Sequence, residues 1–238
     1  MRFRIAFMTA VAVGIASSPA AAATLRQSVR VETAMRHVDF HVDSTLVMHI
    51  EYLRGRLVGR RPGQPPWFDD KLSFDIEMDT ASITLSTLAL ADLLNRYVFN
   101  YHGAPLRALK VAVDHGRLKQ SGRLHGLPFS IITTATVTPA GELRLHPASI
   151  HALGVGVGGL MHLLGLSLQK LADVAKARGV RIEGNDLLLT PAAMLPPPAT
   201  RGKLVAVVLH DSALTLHFGG HGPVRDLDIP DAHATNYM

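Results

Sequence analysis

The chain has 238 residues, 47% hydrophobic and 18% charged, with 24 Lys and Arg against 19 Asp and Glu and no cysteine. Lacking cysteine, it has no disulfide, no thiolate nucleophile and no lipobox thiol for an acyl anchor. Its net charge of +5 is scattered along the chain rather than gathered into a stripe, which argues against nucleic acid as a partner.

Residues 1–23 read as a cleavable signal peptide. A positive start, Met1-Arg2-Phe3-Arg4, leads into the apolar run Ile5 to Ile15 and then the small residues Ala20 to Ala23. That run is shorter than the roughly 17 to 25 residues a membrane-spanning helix needs. The expected product starts near Thr24 and is periplasmic or secreted. Cleavage takes 23 residues from 238 and two arginines from the 24 Lys and Arg, leaving 215 residues and a charge of about +3. Residues 24–218 are expected to form a single domain, and residues 219–238 a loosely ordered tail.

Apolar and polar residues alternate over short runs, the period of half-buried strands. Val38, Phe40 and Val42 alternate with His37, Asp39, His41 and Asp43, and Phe74, Ile76 and Met78 with Ser73, Asp75, Glu77 and Asp79. Hairpins are expected where Asp114-His115-Gly116 separates Leu106 to Val113 from Arg117 to Leu124, and where Thr138-Pro139-Ala140-Gly141 separates Phe129 to Val137 from Glu142 to His146. Further pairs are expected at Val180 to Ile182 with Leu187 to Leu189, and at Leu204 to Leu209 with Leu214 to Phe218. Pro196-Pro197-Pro198 reads as an extended linker.

Two segments carry helical spacing instead. In Ser86 to Phe99 the apolar positions are Leu90, Leu93, Leu94, Tyr97 and Val98, with Ser86 or Thr87 as N-cap. A long helix is expected over Gly158 to Arg178, with Leu160, Leu164, Leu168, Leu171 and Ala175 on one stripe and Gly179 as C-cap. The run Leu153 to Leu168 is apolar or glycine except at His162 and Ser167. A helix apolar all round is either core or lies against an apolar ligand.

Three polar or aromatic groups invite a functional reading. His37, Asp39, His41 and Asp43 share one strand face and could offer ligands to zinc or copper, yet a linear ladder gathers tetrahedral ligands poorly unless a second element contributes. Their expected role is a solvated outer face, with no metal assigned. Gly63-Gln64-Pro65-Pro66-Trp67-Phe68, beside Arg54, Arg56, Arg60 and Arg61, could dock at a membrane interface or cap the end of a sheet. Gly219-Gly220-His221-Gly222 has no nucleophile motif to serve, and neither a nucleophile elbow, a His-Glu-x-x-His motif nor a phosphate loop occurs. No catalytic residue and no cofactor is therefore assigned.

Several segments in order, LSTLALADLLNRYVF, LKVAVDHGRLKQSGRLHGLPFSI, VTPAGELRLHPASIHALGV, RGVRIEGNDLLLTP and RGKLVAVVLHDSALTLHFG, resemble exported bacterial LmeA-like phospholipid-binding proteins and the wider tubular lipid-binding (TULIP) superfamily. The similarity covers roughly Thr80 to Gly219. It implies an α+β fold, with a large curved antiparallel sheet wrapped around a long helix, plus one shorter helix. Acyl chains would lie in the apolar slot between sheet and helix, lined by Leu160, Leu164, Leu168 and Leu171 facing Phe129, Ile131, Leu214 and Leu216. The expected function is lipid binding or lipid transfer rather than catalysis, the partner being a phospholipid or similar acyl ligand with transient contact to a membrane surface. Protein partners are left open. The alternatives are a cell-envelope structural or assembly factor with a dry core and an enzyme with an unrecognised site.

Overall fold

A computed structural model describes residues 28–152, 176–184 and 186–219. In chain order the strands are β1 (Arg30–His41), β2 (Val47–Gly59), β3 (Phe74–Ser86), β4 (Leu106–Asp114), β5 (Arg117–Leu124), β6 (Leu127–Val137), β7 (Leu143–Ala152), β8 (Val180–Glu183), β9 (Asp186–Leu189), β10 (Ala199–Arg201), β11 (Leu204–Leu209) and β12 (Ala213–Phe218). Helix α1 (Thr87–Leu93) runs into a π-helical turn, Leu94–Val98, and α2 (Pro191–Met194) precedes β10. The first sheet has the order β1-β2-β3-β12-β11, with β10 added parallel to the start of β3. The second, β4-β5-β6-β7-β9-β8, is antiparallel throughout.

Strands β4, β5 and β6 of the second sheet are successive neighbours because the turns between them are tight. His115-Gly116 and His125-Gly126 both hold two successive residues at positive φ, 48° and 69° in the first and 48° and 85° in the second. Such turns match the right-handed twist of the strands they join. Both sheets feed one apolar core, in which Leu46 of the β1–β2 turn, Leu118 of β5, Leu204 of β11 and Leu214 of β12 are essentially inaccessible.

In the first sheet the inward face changes parity along each of its first three strands. On β1 Met35 is buried at odd parity, whereas the core-facing residues beyond His37 are Val38 and Phe40. On β2 the buried Leu57 and Leu53 give way to Ile50 and Met48. On β3 Phe74, Ile76 and Met78 give way to Ala81, Ile83 and Leu85. Each switch uses one extra residue. His37 sits at φ 49°, Glu51 falls at a register break between β2 and β3, and Asp79 falls at the next. Between β1 and β2 the register runs on unbroken, because both strands switch at the same level. Bulges of this kind bend a strand and increase its twist. The inserted Asp79 accepts a hydrogen bond from Arg56 Nη2 at 2.7 Å.

Helix α1 begins where expected: Ser86 Oγ accepts from Ala89 N–H at 3.0 Å, an N-cap. Its continuation is tied to the β1–β2 turn by Asp43. That carboxylate accepts from Thr45 N–H at 2.8 Å, Leu46 N–H at 2.9 Å, the Tyr97 hydroxyl and Arg96 Nη2 at 3.0 Å. The Tyr97 hydroxyl first, and then the two backbone N–H groups, hold Asp43 well below the usual carboxylate range.

The fold expectation needs correction. Instead of one large curved sheet around a long helix, the strands divide between two sheets, and helical elements among the described residues have seven, five and four residues. Period-two alternation marks a strand and its inner face but not its partner. Strands β4 to β7 close on one another through hairpins, while β3 takes β2, β12 and β10 as neighbours, so no continuous sheet joins the two sets. The expected helix at 158–178 lies outside the described residues except at 176–178, which form a short non-α turn ahead of Gly179 at φ 68°. Residues 1–23 also lie outside, as does the expected tail beyond Gly219. Gly219 itself donates its N–H to Lys203 O at 3.0 Å.

Two outcomes test this architecture. A Cβ on Gly55 would lie 2.0 Å from Glu77 O at the second β2–β3 register break, so Gly55→Ala should cost about 1–3 kcal/mol in chemical denaturation. Because Asp43 has a lowered pKa when folded, its stabilisation is present above the unfolded value of about 3.9 and fades as pH falls. Asp43→Asn should thus lower Tm at pH 7, and the gap to wild type should narrow steadily on acidification below pH 4.

Candidate functional site

The β2–β3 connection, residues 60–73, is an ordered loop carrying apolar side chains outward. Pro62, Pro65 and Pro66 restrict its backbone. Arg60 N–H donates to Ser73 O at 2.8 Å, Asp70 N–H to Trp67 O at 3.0 Å and Ser73 N–H to Asp70 O at 2.9 Å. The buried Ser73 hydroxyl accepts from Trp67 N–H and donates to Trp67 O, both at 2.9 Å. Yet Trp67 is 51% exposed, Phe68 62% and Leu72 60%. Phe68 touches the core only edge-on, with its ring 5.8 Å from Phe74, and the Arg61 guanidinium lies 5.6 Å above the Trp67 ring.

The root of the loop is held by charge. Asp75, largely buried on β3, accepts from Arg60 Nε at 2.6 Å and from Arg201 Nη2 of β10 at 2.8 Å. Of the expected basic group, Arg56 and Arg60 are therefore engaged in ion pairs to β3, whereas Arg61 lies over the loop's aromatic ring and 4.0 Å from Asp70. Lys71 adds an exposed cation between Asp70 and Leu72.

The described residues assigned to an acyl slot divide between the two sheets. Phe129 and Ile131 are half-buried on β6 of the second sheet, across from Gly122 and Gln120 of β5. Leu214 and Leu216 are 1% and 6% exposed on β12 of the first sheet, where they are packed core rather than lining. Leu160, Leu164, Leu168 and Leu171 lie outside the described residues. A cleft of about 510 Å³ opens instead between the π-helical turn and β4, near Asn95, His102 and Arg107. It is a polar opening, and Asn95 is engaged there: its amide donates to Leu109 O and accepts from Leu109 N–H, both at 2.8 Å, bridging the β4 bulge.

The expected histidine ladder is rearranged. Asp43 serves the turn described above and His41 is exposed, while β2 brings His49 and Glu51 beside His37 and Asp39. Asp39 pairs in register with His49, and their side chains hydrogen-bond at 2.8 Å from Nδ1 to Oδ1. That contact, followed by the influence of Glu51, raises the His49 pKa above its ordinary value against the opposing effect of burial. His49 and Glu51 were missed in the sequence, although His49-Ile50-Glu51 repeats the spacing of His37-Val38-Asp39 across a short turn. His146 sits elsewhere, 2.6 Å from Asp186.

The loop's stiffness is testable at one hydroxyl. Ser73→Ala should lower stability by about 1–2 kcal/mol and reduce the fluorescence anisotropy of Trp67, the chain's single tryptophan. The chain matches no family model, no curated protein and no solved structure.

Proposed function

We propose that this is an exported lipid-binding or lipid-transfer protein that meets a membrane surface through its 60–73 loop. The observation that carries this reading is the exposure of Trp67, Phe68 and Leu72 together on a loop pinned from both ends. Leaving three large apolar side chains in water on an ordered segment is unfavourable unless another surface covers them. Tryptophan and phenylalanine suit the headgroup level of a bilayer, and Arg61 and Lys71 suit anionic headgroups. Acyl contact falls on the half-buried Phe129 and Ile131, not on Leu214 and Leu216. Similarity to LmeA-like proteins remains part of this proposal. No helix of the described residues is long and apolar enough to cross a membrane.

The close packing of Leu214 and Leu216 favours, as a second reading, an envelope assembly factor with a dry core. Vesicle binding and ligand capture separate the two. On phosphatidylglycerol vesicles Trp67 emission should shift to the blue, and Phe68→Ala with Leu72→Ala should weaken binding by at least about tenfold, equivalent to 1.4 kcal/mol. Native mass spectrometry of protein extracted without detergent should show a bound acyl species. Vesicle binding with only apo protein would favour the second reading; unshifted emission would remove the loop from the membrane.

A further inference from the structure

We propose that His37, His49 and Glu51 form a divalent transition-metal site, zinc by its geometry, with Asp39 as the residue that positions His49. The inference is independent of the lipid reading. Zinc bonds of about 2.1 Å at tetrahedral angles place ligand atoms roughly 3.4 Å apart. His37 Nδ1 lies 3.5 Å from Glu51 Oε1, and His49 Nε2 lies 3.5 Å from Glu51 Oε2. One ligand atom from each of the three residues falls within 4.8 Å of the others. Small side-chain rotations would bring the three around one ion.

Two further features single this group out from a chance surface cluster. The Asp39 carboxylate lies 2.8 Å from His49 Nδ1. With the proton on Nδ1 and donated to Asp39, Nε2 presents its lone pair to the side where Glu51 stands, the carboxylate–histidine–metal relation. The backbone contributes too. His37 holds φ 49°, uncommon for a residue other than glycine, and Glu51 is the inserted residue of the β2–β3 bulge. Both ligands thus sit where their strands change parity, and bulges re-aim side chains in this way. Side-chain exposure of 27% at His37, 44% at His49 and 50% at Glu51 leaves the fourth position open to water or an incoming donor. Two imidazoles with one carboxylate suit zinc and its neighbours rather than calcium or magnesium. An ion here would also tie the edge strand β1 to β2.

The test uses untagged protein, since the chain has 13 histidines and a polyhistidine tag would compete. Zinc titration should give one site, cobalt should give the intense visible bands of a tetrahedral centre, and zinc should raise Tm. His49→Ala and the near-isosteric Glu51→Gln should each abolish the cobalt bands and the Tm rise while keeping the native circular dichroism spectrum. Asp39→Asn should keep the stoichiometry but weaken affinity by about 10–100-fold. His115→Ala, remote and exposed, should change nothing. Absence of cobalt bands in the wild type, or zinc affinity unchanged in both His49→Ala and Glu51→Gln, would overturn the site and assign any binding to scattered histidines.

Discussion

A strand shows alternate residues to opposite faces, so one that bends continuously around a core must sooner or later present the wrong side chain to it. The first sheet resolves that conflict with single inserted residues at His37, Glu51 and Asp79, one on each of three neighbouring strands. Each insertion keeps apolar side chains inward on both sides of the bend. Each also leaves a polar residue displaced from the regular ladder. Asp79 meets Arg56, and His37 meets Glu51. Core packing and the histidine cluster are thus two results of one geometric device.

Strand β3 is the most connected element of that sheet. It takes β2 along one edge, while β10 and β12 divide the other. Polar groups reinforce these seams, with Asp75 holding Arg60 and Arg201, and Thr84 Oγ1 lying 2.8 Å from Thr215 Oγ1. The exposed loop springs from the start of this strand, which is why Trp67, Phe68 and Leu72 remain ordered without being buried. A preorganised apolar tip loses little conformational freedom when it meets another surface.

The second sheet supplies the other half of the core and differs in character. Its long strands follow one another through tight turns, and its inner face grades from the sealed Leu118, Leu143 and Leu145 to the half-buried Phe129 and Ile131. The lipid contact proposed for that end would require no cavity through the packed centre, where Leu204 and Leu214 exclude solvent. On the proposed reading, membrane contact at the loop and acyl contact at β6 would be separate demands on the molecule, met by different sheets.

Most strands, the hairpin turns and the Ser86 cap were legible in the amino-acid order because each depends on residues within a few positions of one another. Alternation in 38–42 and 74–78, the His-Gly turn at 115–116 and the serine ahead of Thr87 express backbone and side-chain preferences that need no distant partner. The division into two sheets was not legible, since a period-two pattern names the buried face and leaves the neighbour open. Nor was the meeting of His37 with Glu51, for a bulge shifts parity by one residue and leaves little compositional trace. Only the tertiary register of β1 on β2 brings residues 14 positions apart within 3.5 Å, and only core packing decides that Leu214 and Leu216 are filled interior rather than ligand space.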